Sequence, residues 1–312
     1  MSYLILIIGF ILLIKGADIF VDGAAKIAKK FGIPSIIVGL TIVSLGTSAP
    51  ELSVSLIASF EGNNGITIGN VLGSNIFNTL MVLGVTAIIM PIVIKKNSVI
   101  KDYIINIVVS IVLLVLAFGR VLLNKEAALT RISGIILLIL CIIYTLYLIK
   151  SAKSRKEEDS EEEEDIKILS CIIKIILGII GIIAGGNLVV SSASDIAYSF
   201  GLSDKLVGLT IVAVGTSLPE LVTTMIASIK GENDIAIGNV LGSNIFNILL
   251  ILGVSSSINA IPISSSLLIV ISIILGIFMF KGKKDKLKLD KLEGLILVLL
   301  YIVYMIYIIS RN

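Results

Sequence analysis

The residues from Gly46 to Val85 read GTSAPELSVSLIASFEGNNGITIGNVLGSNIFNTLMVLGV, and those from Gly215 to Val254 read GTSLPELVTTMIASIKGENDIAIGNVLGSNIFNILLILGV. The two stretches lie 169 residues apart, align without a gap and are identical at 27 of 40 positions. The match continues upstream, because Val-Gly-Leu-Thr-Ile-Val occurs at both 38–43 and 207–212. The chain is therefore built from two related halves.

The composition around these stretches indicates a lipid environment. Of 312 residues, 56% are hydrophobic and 15% are charged, and the mean hydropathy is +1.09. Soluble domains carry about 25% charged residues. The chain has no His, which excludes a Ser-His-Asp triad, a His-ligated zinc and an imidazole proton relay. Its two Cys residues lack metal-type spacing, and we interpret them as small hydrophobes.

A membrane-spanning helix needs about 20 apolar residues, and ten segments qualify. They are 2–24, 35–59, 66–91, 99–119, 127–149, 167–194, 204–229, 235–259, 263–280 and 291–309. The first has no basic region or cleavage site before or after it, so we expect a retained helix and not a signal peptide. We predict an all-α integral membrane protein with a first five-helix repeat at 1–149, a charged linker at 150–166 and a second repeat at 167–312.

The distribution of basic residues predicts the orientation, since Lys and Arg accumulate in cytoplasmic loops. With the N-terminus outside, 18 of the 25 Lys and Arg residues fall on the inward side and five on the outward side. We therefore expect both termini outside a cell membrane (plasma or inner) and the linker inside. Five spans are an odd number, so the second repeat is inverted relative to the first. Inverted repeats are a transporter architecture whose substrate site lies near the bilayer midplane.

The repeat places Glu51 and Glu220 at equivalent positions within apolar spans, where a carboxylate is costly and functional by default. Pro50 and Pro219 precede them, and each lacks an N–H group, which opens the helix and frees main-chain carbonyls. The neighbouring oxygen donors are Thr47, Ser48, Ser74 and Asn78 in the first half and Thr216, Ser217, Ser243 and Asn247 in the second. Oxygen-only ligands in flexible geometry suit Ca²⁺. Two Glu balance one Ca²⁺, Na⁺ ions or protons, which is a physical basis for exchange.

GTSxPE followed by GNxxGSNxxN, present twice, resembles the alpha-repeats of the cation/calcium exchanger superfamily, in particular its sodium/calcium exchanger branch. The resemblance implies ten helices, with the first and sixth sliding against a fixed core, and transported Ca²⁺ and Na⁺ without a cofactor. It implies that the calcium ligands are Glu51, Glu220 and the carbonyls of Thr47 and Thr216. It implies that the sodium ligands include Ser48, Ser74, Ser217, Ser243 and the carbonyls of Ser44 and Ala213. Asn78 and Asn247 complete the candidate site, and Asn at both positions argues against potassium co-transport.

Several alternatives compete with a Na⁺/Ca²⁺ antiporter. A H⁺/Ca²⁺ antiporter could use the same two glutamates, although the Ser-rich flanks favour Na⁺. A channel needs a rotational ring of Glu, which two inverted halves cannot form without oligomerisation, and we expect a functional monomer. No Walker A stretch is present, and an enzyme has no His to use. We expect no nucleic-acid partner. The acidic linker is either a calcium sensor or, as we favour, a solvated tether.

Overall fold

The computed structural model describes residues 2–123, 126–154, 167–201, 213–263, 281–283 and 286–311 of the chain. Apolar, β-branched and small residues form long helices in these ranges. We label ten helices in chain order. They are α1 (Ser2–Phe31), α2 (Ser35–Thr47), α3 (Ala49–Phe60), α4 (Asn64–Ile89), α5 (Lys96–Phe118), α6 (Arg131–Ser154), α7 (Ile168–Ser199), α8 (Leu218–Ile229), α9 (Asn233–Ile258) and α10 (Lys291–Arg311). A 3₁₀ segment (Gly119–Leu123) follows α5, and a helical turn (Ala213–Gly215) precedes α8.

The chain is a multi-pass membrane protein. In its described part, seven helices are long and apolar enough to cross a membrane, or eight if the bent pair of α2 and α3 is one span. The predicted span at 263–280 lies outside the described residues, and the one at 204–229 is described only from residue 213 onward. Ten spans in two inverted repeats therefore stay a prediction.

The helices form a core and a periphery. In α4 and α9, 72% and 94% of the most apolar 18-residue window is buried, whereas the other five spans range from 11% to 33%. Polar residues such as Asn78 and Asn247 are tolerated in these two helices because protein surrounds them on all sides. The peripheral helices expose Ile and Leu, as lipid-facing helices do. The repeated sequence blocks therefore form the centre of the molecule.

Both central helices contain a π-helical turn at the same repeat position. The turn in α4 spans Asn78–Val82 and the turn in α9 spans Asn247–Leu252. A third π turn, Gly39–Val43, lies in α2. Single π turns inside α-helices are frequent at functional sites, because they change which side chains share a face. Here two of them start at the Asn that each repeat was predicted to contribute to the cation site.

Helices α1 and α7 pack against each other through glycines. A Cβ atom at Gly16 would lie 2.7 Å from the Ile182 backbone nitrogen, and one at Gly185 would lie 2.5 Å from the Leu13 backbone nitrogen. Both distances are far below van der Waals contact, so only Gly permits this approach. Small residues at helix interfaces are the usual means of close packing in membranes. The first helices of the two repeats thus form one closely packed pair.

Two small antiparallel sheets lie between the helices, and the all-α prediction missed them. In one, β1 (Ile92–Lys95) pairs with β5 (Lys286–Leu289), which pairs with β4 (Lys281–Lys283). In the other, β2 (Ala128–Leu129) pairs with β3 (Ile261–Pro262). Strands of two to four residues are too short to show the alternation that predicts a strand.

Some predicted boundaries also move. Helix α1 continues beyond residue 24 to Phe31, and α6 continues beyond residue 149 to Ser154. In both, basic residues occupy the last turn, where they interact favourably with the negative end of the helix dipole. The polar termini that mark the limits of an apolar segment therefore remain helical.

Candidate cation-binding site

The helical conformation is interrupted three residues before each of the two buried glutamates. α2 ends at Thr47, Ser48 adopts φ −83° and ψ 8°, and α3 then begins at an angle of 49° to α2. The second repeat has the same break at Ser217, with φ −94° and ψ 5°, before α8. A Pro lies in the first turn of both new helices, where its missing N–H costs nothing. Glu51 and Glu220 therefore lie in the first turn of a helix, where the helix dipole favours negative charge.

Each glutamate receives a hydroxyl from the opposite repeat. The Ser217 hydroxyl donates to Glu51 Oε1 at 3.0 Å, and the Ser48 hydroxyl donates to Glu220 Oε1 at 2.8 Å. Each carboxylate has a second, longer contact from its own repeat, with Ser74 at 3.4 Å from Glu51 Oε1 and Ser243 at 3.5 Å from Glu220 Oε1. Both glutamates are fully buried. The structure thus brings the two carboxylates and four predicted serines into one cross-repeat cluster.

Four of the predicted ligand residues have a side-chain oxygen that is buried without a hydrogen-bond partner among the described residues. These oxygens are Oε2 of Glu51, Oε2 of Glu220, Oδ1 of Asn78 and Oδ1 of Asn247. Asn78 follows Ser74 by one helical turn, and Asn247 follows Ser243 in the same way, so each amide lies on the face that carries the serine. Buried polar atoms almost always have a partner. Each repeat therefore contributes two buried oxygens that lack a hydrogen-bond donor among the described residues.

The two predicted threonines lie next to the glutamates, and their hydroxyls point toward asparagines. The Thr47 hydroxyl donates to Asn239 Oδ1 at 3.0 Å, and the Thr216 hydroxyl donates to Asn70 Oδ1 at 3.4 Å. These contacts involve the side chains, whereas the carbonyls are the predicted ligands. Both threonines immediately precede a helix break.

The remaining predicted ligands are the main-chain carbonyls of Ser44 and Ala213. The Ser44 carbonyl accepts a hydrogen bond from the Ser48 N–H at 3.0 Å, and the Thr47 hydroxyl oxygen, whose hydrogen can be shared between this carbonyl and Asn239, lies 3.3 Å away. Ala213 begins the helical turn that leads into the second break, directly after residues outside the described part. The Ser44 carbonyl therefore already has a hydrogen-bond donor, and a cation would have to share its oxygen with it.

Two further asparagines, Asn70 and Asn239, were missed as site residues. Asn70 Nδ2 donates to the Glu51 carbonyl at 3.1 Å, and Asn239 Nδ2 contacts the Glu220 carbonyl at 3.5 Å. Each therefore joins the glutamate helix of its own repeat to the threonine of the other. The signal was available, since both residues lie in the GNVLGSNIFN block shared by the two halves.

No basic residue neutralises the two carboxylates in the described part of the chain. Ion pairs join Lys26 and Lys174 to Asp22 and Lys230 to Asp18, and each of these pairs involves α1. No cluster of three or more His, Cys, Asp or Glu side chains occurs there either. The site therefore has two acidic groups, neutral oxygens and no fixed counter-charge.

A cavity of about 340 Å³ borders both helix breaks. Pro50 and Ser53 of α3 line one wall, Thr216 and Pro219 line a second, and Asn187 of α7 lies across from them. The cavity lies between α7 and the two glutamate-bearing helices. It contacts both prolines and therefore lies beside both helix breaks.

Known proteins resemble this chain in sequence. The family model described as sodium/calcium exchanger protein matches residues 1–150 and 171–310. A putative antiporter, CaxA, from Alkalimonas amylolytica is 35% identical over 299 residues, which cover 94% of each chain. The sodium/calcium exchanger MaX1 from Methanosarcina acetivorans is 34% identical, and the alignment covers 96% of this chain and 95% of that protein. These relatives are transporters, not enzymes.

Solved structures lead to the same assignment. The sodium-calcium exchanger NCX_Mj, soaked with Na⁺ and Ca²⁺, superposes with a TM-score of 0.83 at 32% sequence identity, and covers 97% of this chain and 96% of its own. The same exchanger without Na⁺ and Ca²⁺ gives a TM-score of 0.84. With a family model that matches both repeats and relatives aligned over nearly their whole length, the chain belongs to the sodium/calcium exchanger family.

Proposed function

We propose that the chain exchanges Na⁺ for Ca²⁺ across a cell membrane by alternating access, with the cations bound between Glu51 and Glu220. The observation that carries the proposal is the set of four buried oxygens without hydrogen-bond partners, two from each repeat, at a place without basic residues. Two carboxylates buried in this way need a positive charge. Nothing in the described part of the protein supplies it, so a transported ion does.

The chemistry of the donors favours hard cations. Carboxylate, amide, hydroxyl and carbonyl oxygens are the ligands that Ca²⁺ takes, six to eight at a time and in irregular geometry. Mg²⁺ dehydrates reluctantly and needs a near-ideal octahedron, so it fits such a cluster poorly. We assign Glu51 and Glu220 to Ca²⁺, together with the carbonyls of Thr47 and Thr216. The further Na⁺ ligands are Ser48, Ser74, Ser217 and Ser243, with the carbonyls of Ser44 and Ala213. The amide oxygens of Asn78 and Asn247 complete the site and bind either ion.

Exchange follows from charge compensation. Two carboxylates balance one Ca²⁺ or two Na⁺, and occupation by one ion type removes the negative charge that the other requires. An empty site leaves two charges buried without compensation, which costs several kcal/mol and disfavours movement of the unloaded protein. Ca²⁺ and Na⁺ therefore bind in alternation.

Alternating access needs a part that moves. The closely packed pair of α1 and α7 is suited to this role, because its glycine interface lets the two helices move as a unit past the more deeply buried α4 and α9. The cavity next to α7 lies where such a movement would open or close access. The remaining parts of the proposal are the ten-span inverted topology, termini outside, a cytoplasmic linker and a monomeric unit.

Transport by purified protein in liposomes tests the proposal. Vesicles loaded with Na⁺ are diluted into Na⁺-free buffer that contains radioactive Ca²⁺, with the pH equal on both sides. We expect Ca²⁺ uptake that requires the Na⁺ gradient. Glu51→Gln and Glu220→Gln should each abolish uptake, because one carboxylate cannot compensate Ca²⁺.

Glu61→Gln is the matched control, since Glu61 is exposed at the end of α3 in the same repeat and should transport normally. Uptake that ignores Na⁺ and follows an imposed pH gradient would instead make the protein a H⁺/Ca²⁺ antiporter at the same two glutamates. Undiminished uptake by both Gln variants would refute the site itself.

A further inference from the structure

A cluster of buried asparagines joins the two central helices behind the candidate cation site. Asn75, Asn78, Asn244 and Asn247 are each no more than 3% exposed. Asn247 Nδ2 donates to Asn75 Oδ1 at 3.0 Å, and Asn78 Nδ2 donates to Asn244 Oδ1 at 3.2 Å. These two bonds are equivalent under the internal repeat. Neither Asn75 nor Asn244 touches a glutamate in these contacts, and neither is among the predicted site residues.

A main-chain carbonyl fixes the orientation of the Asn75 amide and, through it, that of the Asn247 amide. Asn75 Nδ2 donates to the Asn244 carbonyl at 3.1 Å, and a carbonyl can only accept. The amide nitrogen of Asn75 must therefore face that carbonyl, and its Oδ1 must face Asn247. Asn247 then has to present its nitrogen to Asn75. Its Oδ1 is directed away from the cluster, and it is one of the four buried oxygens without a partner.

We propose that Asn75 and Asn244 are positioning residues that hold the amides of Asn247 and Asn78 with their oxygens, and not their nitrogens, toward the cations. This inference rests on the proposed function of the site. An Asn amide has an acceptor and a donor of almost the same shape, so an unrestrained amide would present its N–H groups to the cation part of the time. A cation is repelled by N–H groups and bound by the oxygen. The asparagine cluster removes that alternative.

The Asn75 and Asn244 amides are oriented to different degrees, because the repeats differ at one position. Asn244 Nδ2 donates to the hydroxyl of Thr79 at 3.1 Å, and the equivalent position in the second repeat is Ile248. A hydroxyl can donate as well as accept, so Thr79 fixes Asn244 less strictly than a carbonyl fixes Asn75. We therefore expect Asn247 to be the more tightly oriented ligand of the pair.

Calorimetric titration of the purified protein with Ca²⁺ in Na⁺-free buffer tests the inference. Asn75→Ala leaves the glutamates and Asn247 in place but removes the acceptor that orients the Asn247 amide. We expect roughly 10-fold weaker Ca²⁺ binding, the lower end of what loss of a group that orients a metal ligand costs. The matched control is Asn106→Ala in α5, an equally conservative change at a residue 6% exposed and outside the cluster. It should lower the melting temperature and leave Ca²⁺ affinity unchanged.

A double-mutant cycle separates positioning from general damage. In an Asn247→Ala background there is no amide left to orient, so adding Asn75→Ala should weaken Ca²⁺ binding no further. An equal loss in both backgrounds would refute positioning through Asn247. The contacts of Asn244 with Asn78 and Thr79 give an independent test in case Asn75→Ala does not fold. Thr79→Val should bind Ca²⁺ more weakly than the wild type, by less than the roughly 10-fold expected for loss of the Asn75 acceptor, and Thr79→Ser, which keeps the hydroxyl, should bind as the wild type does.

The outcomes distinguish this inference from the proposed function. If Glu51→Gln loses Ca²⁺ binding while Asn75→Ala and Thr79→Val both bind Ca²⁺ normally, the positioning role is wrong and the cation site stands. If Glu51→Gln and Glu220→Gln both bind Ca²⁺ normally, the site itself is wrong. Loss of binding in Asn106→Ala equal to that in Asn75→Ala would also overturn the inference, because the effect would then be that of any buried amide.

Discussion

Replacement of Glu51 by Gln should stabilise the cation-free protein while it destroys the response to Ca²⁺. The Ser217 hydroxyl donates to Oε1 at 3.0 Å, and a Gln carbonyl oxygen can accept the same bond. The change therefore falls on Oε2, which is buried and has no hydrogen-bond partner among the described residues. Where both carboxylates are ionised, a neutral amide there removes one of two buried charges that no Lys or Arg compensates in the described part of the chain.

The magnitudes follow from the cost of buried charge. An uncompensated buried charge costs about 3–5 kcal/mol. Because the new amide nitrogen also lacks an acceptor, part of that gain is offset by about 1–3 kcal/mol. A net stabilisation of about 2 kcal/mol, within a range of about 0–4 kcal/mol, is expected without cations. With Ca²⁺ present, loss of one compensating charge should cost at least about 3 kcal/mol, which corresponds to roughly 150-fold weaker binding.

Thermal unfolding in detergent measures both effects. The buffer contains a chelator and a bulky organic cation in place of Na⁺, and Ca²⁺ is then titrated in. Wild-type protein at 100 times its Kd should gain about 2.7 kcal/mol. Glu51→Gln should begin at a higher melting temperature and respond little, whereas Glu61→Gln should behave as wild type does. A variant that melts lower without cations and still gains the full Ca²⁺ stabilisation would refute the reasoning, because Glu51 would then be a structural residue.

Two other substitutions give expectations of different kinds. Ser74→Ala should raise the Na⁺ concentration for half-maximal exchange about fivefold, the equivalent of about 1 kcal/mol, and change Ca²⁺ affinity less, since Ser74 is a proposed Na⁺ ligand. Rates measured over a series of Na⁺ concentrations would show this, and an effect confined to Ca²⁺ would contradict it. Gly185→Ala should destabilise the protein by about 1–3 kcal/mol and slow turnover, because its Cβ would lie 2.5 Å from the Leu13 backbone nitrogen. Gly65→Ala, with no atom within 4 Å of its Cβ among the described residues, is the control for transport rate and melting temperature; equal behaviour of the two variants would argue against a role for the glycine contact.

Much of the site could be predicted because it is repeated. A carboxylate after a Pro within an apolar span is costly, and its recurrence at a fixed offset predicted both Glu51 and Glu220, the helix breaks before them and the oxygen-bearing neighbours. Which serine of one half donates a hydrogen bond to which glutamate of the other half could not be predicted. Ser48 and Glu220 are 172 residues apart, and Ser217 and Glu51 are 166 apart. Periodicity within one half cannot indicate which hydroxyl of the other half reaches a given carboxylate.

Other features were missed because their sequence signals are weak or are compatible with more than one structural role. The short strands contain only two to four residues, and β1 pairs with β5 almost 200 positions away. The repeated block contains Asn70, Asn75, Asn239 and Asn244. An Asn in a buried helix, however, is equally consistent with a packing role and with a binding role. The difference lies in which polar group each amide faces, and that depends on the assembled pair of halves.

The exchange of hydroxyls between the two repeats has a consequence for each half on its own. Glu51 takes its shorter hydrogen bond from Ser217, and Glu220 takes its own from Ser48. A single half therefore carries only one member of each Ser–Glu pair. Under the proposed inverted topology, a half on its own would need an oppositely inserted copy of itself to complete the cluster, and one continuous chain keeps the two halves together. The halves still differ at individual positions, such as Thr79 and Ile248.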